Sequence, residues 1–234
     1  MPTISDIPIR LSLEDIRRAW GPERTGLLTL SVSNSLQQLL RQIEAHQWLD
    51  AAINYQVLEV TGRDSAGLVA GGMKLNSTLV ARYLQQATHL VFGVCTLGES
   101  LLRHMREFFD SKRPSQAVLL DEIGTLLLYK LGEHFEELLC QQAKLMGLQA
   151  SGSFNPGDDG FDINEQGTVL QLAGGSDIGV TLQGRSILVP HKSLTAVIGL
   201  GLNMPAMTRA ERCARCHSRD RCPHRQDLAA GAVA

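Results

Sequence analysis

The spacing of apolar residues predicts helices in several parts of the chain. Between Leu11 and Trp48 apolar residues recur mostly every three or four positions, which indicates at least two helices. Ser12 and Ser33 are candidate N-cap residues here, because a serine hydroxyl can accept a hydrogen bond from a free N–H of the first turn. Three shorter segments have the same periodicity: 75–86, 101–108 and 164–173.

The longest periodic stretch predicts one long central helix. It covers about 115–146, and Gly147 is placed to end it as a C′ residue. Gly124 and Gly132 lie inside this stretch, where each glycine costs about 1 kcal/mol relative to alanine. We therefore expect these two glycines to permit a close approach of another segment rather than to break the helix.

The remaining apolar segments are typical of β-strands. Residues 88–95 form an apolar run without polar alternation, as in a strand that is buried on both faces. Residues 56–69 suit a pair of short strands, because Gly62 and Gly67 interrupt a run rich in valine and leucine. Three further β-rich segments follow at short spacing: 178–182, 186–190 and 194–200. We predict an α+β fold in which helices flank an antiparallel sheet.

Composition is that of an intracellular globular protein. The chain has 234 residues, of which 44% are apolar, and this is enough to form a large core. Its net charge of −2 gives no electrostatic argument for a nucleic acid or a membrane surface as a partner. No segment is apolar over the roughly 18 residues of a membrane span, and the first residues lack a secretion signal. We expect a cytoplasmic protein with three parts: an N-terminal helical region (1–50), an α+β core (51–205) and a C-terminal appendix (206–234).

Five cysteines point to a chemical site near the C-terminus. Cys95 and Cys140 stand apart in apolar segments and are predicted to be small core residues. Cys213, Cys216 and Cys222 instead fall within ten residues of one another. A disulfide framework is not expected in a chain of this length and compartment, so this spacing favours a metal or redox site.

The charge around these three cysteines supports the same interpretation. Residues 209–225 contain six arginines and two acidic residues, a net charge of +4, and the rest of the chain therefore carries −6. Nearby guanidinium groups favour the thiolate form. Three thiolates suit an iron–sulfur cluster, with a fourth ligand such as Cys95, or a zinc ion completed by His217 or His224. Reduced thiols without a metal are the third alternative.

Two loops are candidate binding segments. The stretch 153–160 has the densest turn chemistry in the chain, and it is either part of a ligand groove or a simple turn. The segment 190–193 connects two predicted strands, and Lys192 in it could bind a carboxylate or phosphate or lie in a solvated connection. Three acids of the central helix are predicted to form a solvated face: Glu133, Glu136 and Glu137.

Five short motifs resemble those of the activation domain of cobalamin-dependent methionine synthase, in the same order. They are Thr96–Glu99, Leu120–Gly124, Phe154–Gly157, Asp177–Leu182 and Pro190–Gly199. The ending Cys213-x2-Cys216-x5-Cys222 is similar to that of stand-alone relatives of this domain. The resemblance covers about 50–225. It implies a single C-shaped domain with a shallow groove for S-adenosylmethionine, which docks on a corrinoid-carrying protein during reductive reactivation.

The resemblance also assigns candidate site residues. The groove would be formed by Phe154, Asn155, Pro156, Gly157, Asp158, Pro190, Lys192 and Ser193. In the family the loop has the pattern Arg-x-x-Pro-Gly-Tyr, whereas this chain has Ser153 in place of the arginine and Asp158 in place of the tyrosine. An arginine can pair with the methionyl carboxylate, and an aspartate repels it. These departures argue against binding of S-adenosylmethionine in the family's usual mode.

The resemblance also implies a function, although it assigns no catalysed reaction to this chain itself. The sequence has no dinucleotide fingerprint, Walker loop or nucleophile elbow, and no Asp-x-His-x-x-Gly loop of the kind that ligates cobalt. We expect a protein that assists reductive reactivation or methyl transfer on a separate corrinoid protein, with a redox partner and with metal or electrons carried at Cys213, Cys216 and Cys222. The alternative is a non-catalytic binding module with a structural metal at these cysteines.

Overall fold

The computed structural model describes residues 3–5, 7–26, 28–205, 209–216 and 219–222. Its elements follow in chain order: β1 (Thr3–Ser5), α1 (Leu13–Thr25), α2 (Leu30–Ala45), β2 (Ala52–Asp64), β3 (Gly67–Ala70), β4 (Met73–Asn76), α3 (Thr78–Tyr83), β5 (His89–Thr96), α4 (Ser100–Asp110), α5 (Pro114–Leu145), β6 (Gln149–Ala150), α6 (Gln166–Ala173), β7 (Thr181–Gln183), β8 (Ile187–Val189), β9 (Ser193–Gly201) and α7 (Arg209–Arg215).

The first two helices confirm one predicted cap and correct the other. The Ser12 hydroxyl accepts a hydrogen bond from the Asp15 N–H at 3.1 Å, so it caps α1 as predicted. Ser33 lies inside α2, and the N-cap is Thr29, whose hydroxyl accepts from the Val32 N–H at 3.3 Å. The prediction for Ser33 was therefore wrong, because the helix begins at Leu30, where the apolar pattern is still weak.

The sheet is antiparallel throughout and curls into a half-barrel. In the described residues its strand order is β4-β3-β2-β5-β9-β6, and β1 pairs with the start of β2. Strands β7 and β8 form a separate hairpin. The segment 75–86, which was predicted to be helical, begins in β4 and contributes only the short helix α3, which starts after the Ser77 cap. The predicted α+β class and the antiparallel pairing are confirmed.

Strand β5 is buried on both faces, as its sequence predicts. Leu90, Phe92 and Val94 point into one core, which is closed by α3 and α6. Val91 and Cys95 point into the other core, which is closed by α1, α2, α4 and α5. This alternation follows from the two-residue period of a strand. The helices of the N-terminal region therefore share a core with the sheet.

Helix α5 is continuous through both of its glycines, as predicted. It spans 32 residues, and Gly147 follows it with a φ of +70°, in the left-handed conformation of a C′ residue. A Cβ on Gly124 would lie 2.5 Å from Leu101 Cδ2, so this glycine allows α4 to pack closely. On Gly132 a Cβ would lie 3.3 Å from Leu194 Cδ2, so this glycine allows β9 to approach. Among the described residues, no helix combines the length and the apolarity needed to cross a membrane.

Candidate functional site

A cavity of about 230 Å³ lies where α5, β9, the loop after β6 and the C-terminal cysteines meet. We refer to 209–216 and 219–222 as the cysteine segment. The cavity wall is mostly apolar, and the cysteine segment contributes five residues to it: Arg212, Cys213, Cys216, Arg219 and Cys222. The structure therefore places the predicted groove loop and the predicted cysteine site around a single cavity.

Helix α5 and strand β9 form the floor of this cavity. Tyr129, Gly132 and Glu136 line it from α5, since residues three and four apart share one face of a helix. Leu194 and Ala196 line it from β9, since residues two apart share one face of a strand. The absence of a side chain on Gly132 brings these two elements together.

The groove loop is held by hydrogen bonds of the kind that turn residues form. The Asn155 N–H donates to Asp158 Oδ2 at 2.8 Å, and Asn155 Nδ2 donates to the Thr195 carbonyl oxygen of β9 at 2.6 Å. Asn155 and Asp158 line the cavity. Phe154 does not, because its backbone pairs with Val197 and its ring is buried in the opposite core. Pro156 is also buried.

The cysteine segment contacts this loop directly. Its Cys213–Cys216 turn is closed by a hydrogen bond from the Cys216 N–H to the Cys213 carbonyl oxygen at 3.2 Å. Asp158 and Cys216 form an isolated antiparallel bridge. The three cysteines of the segment are half-buried.

The thiols line one cavity but do not converge on one point. Within 3–5, 7–26, 28–205, 209–216 and 219–222, no group of three or more His, Cys, Asp or Glu side chains could hold a metal ion. His217 and His224, the proposed zinc ligands, lie outside the described residues. The described donor set does not by itself fit a metal, and the iron–sulfur and zinc hypotheses stay predictions.

Glu136 joins three elements through a single carboxylate. Its Oε1 accepts from Ser153 Oγ at 2.6 Å and from Arg212 Nη1 at 2.7 Å, and its Oε2 accepts from the same Nη1 at 2.9 Å. Its side chain is 21% exposed and that of Arg212 is 17% exposed. The predicted solvated face was therefore wrong for Glu136, whereas the adjacent Glu137 is exposed. The sequence contains one signal for the burial of Glu136. Gly132 lies one turn earlier on the same face of α5 and indicates that this face is closely packed.

Cys95 is a core residue, as predicted. It is fully buried near the end of β5. Burial raises the pKa of its thiol, and the nearby Glu136 carboxylate raises this pKa further, so the thiol stays protonated at neutral pH. Cys140 is partly buried on α5. Cys95 is not among the described residues that line the cavity shared by Cys213, Cys216 and Cys222.

The second candidate segment is tied to a different part of α5. Lys192 Nζ lies 2.7 Å from Asp121 Oδ1 and donates to Thr125 Oγ1 at 2.8 Å, and the lysine is buried. Ser193 Oγ donates to Thr96 Oγ1 at 2.8 Å. Pro190 is buried as well. Lys192 therefore pairs with a carboxylate of its own chain. It lies two residues before Leu194 of the cavity floor.

Comparison with known proteins identifies a fold but no sequence family. No model of a known protein family matches the chain, and no curated protein matches its sequence. Among solved structures, the chain is similar to the MetH reactivation domain bound to AdoHcy, with a TM-score of 0.57 and 11% identity over 88% of this chain and 80% of that one. The chain thus has the fold of the MetH reactivation domain, a mixed helix-and-strand fold with a curled antiparallel sheet and a long central helix.

Proposed function

We propose that this protein assists the activation of a separate corrinoid-carrying protein. The observation that carries the proposal is its fold, which it shares with the MetH reactivation domain over 88% of its length. The five sequence motifs support it, since three of them meet at Lys192: the Leu97 N–H donates to the Lys192 carbonyl oxygen at 2.9 Å, and Asp121 pairs with its ammonium group.

The cavity is the proposed binding site for a nucleoside sulfonium, which donates a methyl group to cobalt, or for the nucleoside thioether that remains after this transfer. The solved structure contains AdoHcy, and this chain has a mostly apolar cavity lined by Asn155 and Asp158, which flank its Pro156-Gly157 motif. Arg212 lines the cavity, so a guanidinium group is present there although the loop has Ser153 in place of the family's arginine. The binding mode therefore differs from that of the family pattern.

A reactivation assay tests the function directly. Under anaerobic conditions, the protein is mixed with a methionine synthase cobalamin domain that carries cob(II)alamin, together with titanium(III) citrate and S-adenosylmethionine. Visible spectra follow the loss of cob(II)alamin and the formation of methylcobalamin. We expect both to be faster than with an equal amount of the heat-denatured protein. Identical rates would overturn the proposal.

The second candidate function is a binding module that carries a structural metal at these cysteines. The three thiols line one cavity, and this metal would need a ligand beyond the described residues. Metal analysis of anaerobically purified protein separates the alternatives. Stoichiometric iron with a coloured spectrum supports electron transfer through an iron–sulfur cluster. One zinc per colourless chain supports the structural module. Protein without either metal rules out both metal assignments.

A further inference from the structure

A second cavity lies between the end of α2 and helix α4, and we refer to it as the helix cavity. Its volume of about 500 Å³ is within the roughly 300–1,000 Å³ of typical ligand pockets. None of the described residues lines both this cavity and the one at the cysteine segment. The helix cavity is therefore a separate candidate site.

Two aromatic side chains form the floor of the helix cavity. Trp48 is 8% exposed and Phe108 is 6% exposed, and their rings meet edge to face with centroids 6.3 Å apart. The ring of His104 stacks on Trp48 at a centroid distance of 4.0 Å. Aromatic rings provide a large, rigid apolar surface. This floor suits the apolar ring of a ligand.

Two arginines on the rim of the helix cavity have guanidinium groups free of carboxylates. Arg103 donates to Ser100 Oγ at 3.1 Å, and the Arg113 guanidinium lies 4.7 Å from the ring centroid of Phe108. In the part of the chain that the structure describes, neither arginine forms an ion pair. A guanidinium group presents several N–H donors in a planar fork that matches phosphate or carboxylate oxygens.

Imidazole groups extend this positive rim. His46 and His104 both line the helix cavity, and each adds a positive charge when it is protonated. Among the described lining residues the one carboxylate is Glu107, and its Oε2 lies 2.8 Å from His104 Nδ1. With neutral imidazoles the lining carries a net charge of +1, whereas the whole chain carries −2. The cavity therefore favours an anion.

The backbone beside the helix cavity has an unusual conformation at two positions. In the described ranges, Gln47 with a φ of +51° and Lys112 with a φ of +56° are the non-glycine residues of positive φ. They follow the last turns of α2 and α4, and the next N–H donates back to the helix in each case, from Trp48 at 3.1 Å and from Arg113 at 2.8 Å. Glycine adopts this conformation more easily, and such strain is concentrated at binding sites. Both turns place the following residue in the cavity wall.

We propose that the helix cavity binds a phosphate monoester of a ring compound, of which a nucleoside monophosphate is the type. The phosphate group pairs with Arg103 and Arg113, and the ring packs on Trp48. A phosphate monoester carries up to two negative charges and so matches two guanidinium groups, whereas a carboxylate matches one. Inorganic phosphate would leave the aromatic floor and most of the volume unused. The inference does not depend on the proposed function, since the two cavities are separate.

Nuclear magnetic resonance of the ¹⁵N-labelled protein tests this site, with AMP as the probe. The chain has two tryptophans and hence two indole N–H signals, which Trp20→Phe assigns. We expect the Trp48 signal to shift in a saturable way as AMP is added, and the Trp20 signal to stay in place, because Trp20 does not line the helix cavity. No shift of the Trp48 signal at millimolar AMP overturns the proposal.

Arginine variants show whether the rim binds the phosphate group. Arg103→Gln and Arg113→Gln are each expected to weaken AMP binding about tenfold. Arg106→Gln is the matched control, since it removes the same charge from an exposed position of α4 outside the cavity lining, and it should bind AMP like the wild type. An unchanged Trp20 signal shows that each variant is folded. Equal weakening in all three variants indicates general charge attraction and refutes the site.

The two halves of AMP test the two contacts separately. Adenosine lacks the phosphate group, and inorganic phosphate lacks the ring, so we expect each to bind at least about tenfold more weakly than AMP. Adenosine that binds as tightly as AMP refutes the role of the two arginines. Inorganic phosphate that binds as tightly as AMP refutes the contact of the ring with the aromatic floor.

Discussion

Replacement of Gly93 by alanine is expected to push α5 away from the sheet. Gly93 lies in the middle of β5, opposite Tyr55 of β2 and Ala196 of β9. A Cβ at this position would lie 2.2 Å from Cε1 and 2.4 Å from Cζ of Phe135, far closer than the roughly 3.5–4.0 Å of favourable carbon contacts. Phe135 is buried and packs against the Tyr55 ring at 5.5 Å. It also lines the cavity, so the ring can make room for the new Cβ only by shifting toward that cavity.

The magnitude follows from the severity of this overlap. Overpacking of a core costs about 1–3 kcal/mol, and two ring atoms in hard contact place Gly93→Ala at about 3 kcal/mol. For a chain of this length, that lowers the midpoint of thermal unfolding by roughly 6–12 °C. The measurement is urea and thermal unfolding followed by circular dichroism.

Gly167→Ala is the matched control for this variant. A Cβ on Gly167 in α6 would meet its nearest atom at 3.5 Å, an ordinary contact, and alanine favours a helix by about 1 kcal/mol. We expect this control to be neutral or stabilised. Phe135→Leu should recover part of the stability lost by Gly93→Ala, because it removes the ring atoms that clash. A Gly93→Ala protein as stable as the wild type would refute the packing argument.

The remaining predictions concern charge. Burial raises the pKa of Asp15, but hydrogen bonds from Ser12 and the neighbouring Lys130 lower it to about 2. A carboxyl pKa that is depressed in the folded state stabilises the fold above the unfolded value near 4, and this stabilisation is lost as pH falls through 2. Because Asp15 is close to solvent, Asp15→Asn should cost only about 1 kcal/mol at pH 7 and almost nothing at pH 2, as measured by urea unfolding at both pH values. Lys192→Met should destabilise the fold by about 1–3 kcal/mol, since it removes the hydrogen bond that the Thr125 hydroxyl accepts and the ion pair with Asp121. Lys74→Met, at an exposed ion pair, should cost less than Lys192→Met in the same assay.

Periodicity predicted the elements that are long or fully buried. The predicted central helix at 115–146 is α5 (Pro114–Leu145), and the predicted strand at 88–95 is β5 (His89–Thr96). Predictions of short elements were less accurate, because strand pairing in the folded chain overrides the local preference for helix or strand. Leu75, for example, fits a helical pattern but pairs with Leu68 in the β3–β4 hairpin.

The site was predictable only in its parts. Turn chemistry identified the loop with Asn155 and Asp158, and spacing identified the three cysteines, yet neither signal shows that they share a cavity. The contact that joins them, between Arg212 and Glu136, spans 76 residues of sequence. Spacing alone also does not distinguish three nearby acids on one helix. Glu136 and Glu137 nevertheless project about 100° apart around the helix axis, so their surroundings differ.

The carboxylate of Glu136 has a consequence for how the fold can vary. It accepts from both Ser153 and Arg212, so one acidic group serves the groove loop and the cysteine segment together. Two guanidinium groups beside this one carboxylate would leave a positive charge uncompensated in a mostly buried place. Proteins of this fold should therefore carry an arginine either at the position of Ser153 or at the position of Arg212, but not at both. In this chain the loop has Ser153, and the cysteine segment supplies the positive charge that neutralises Glu136.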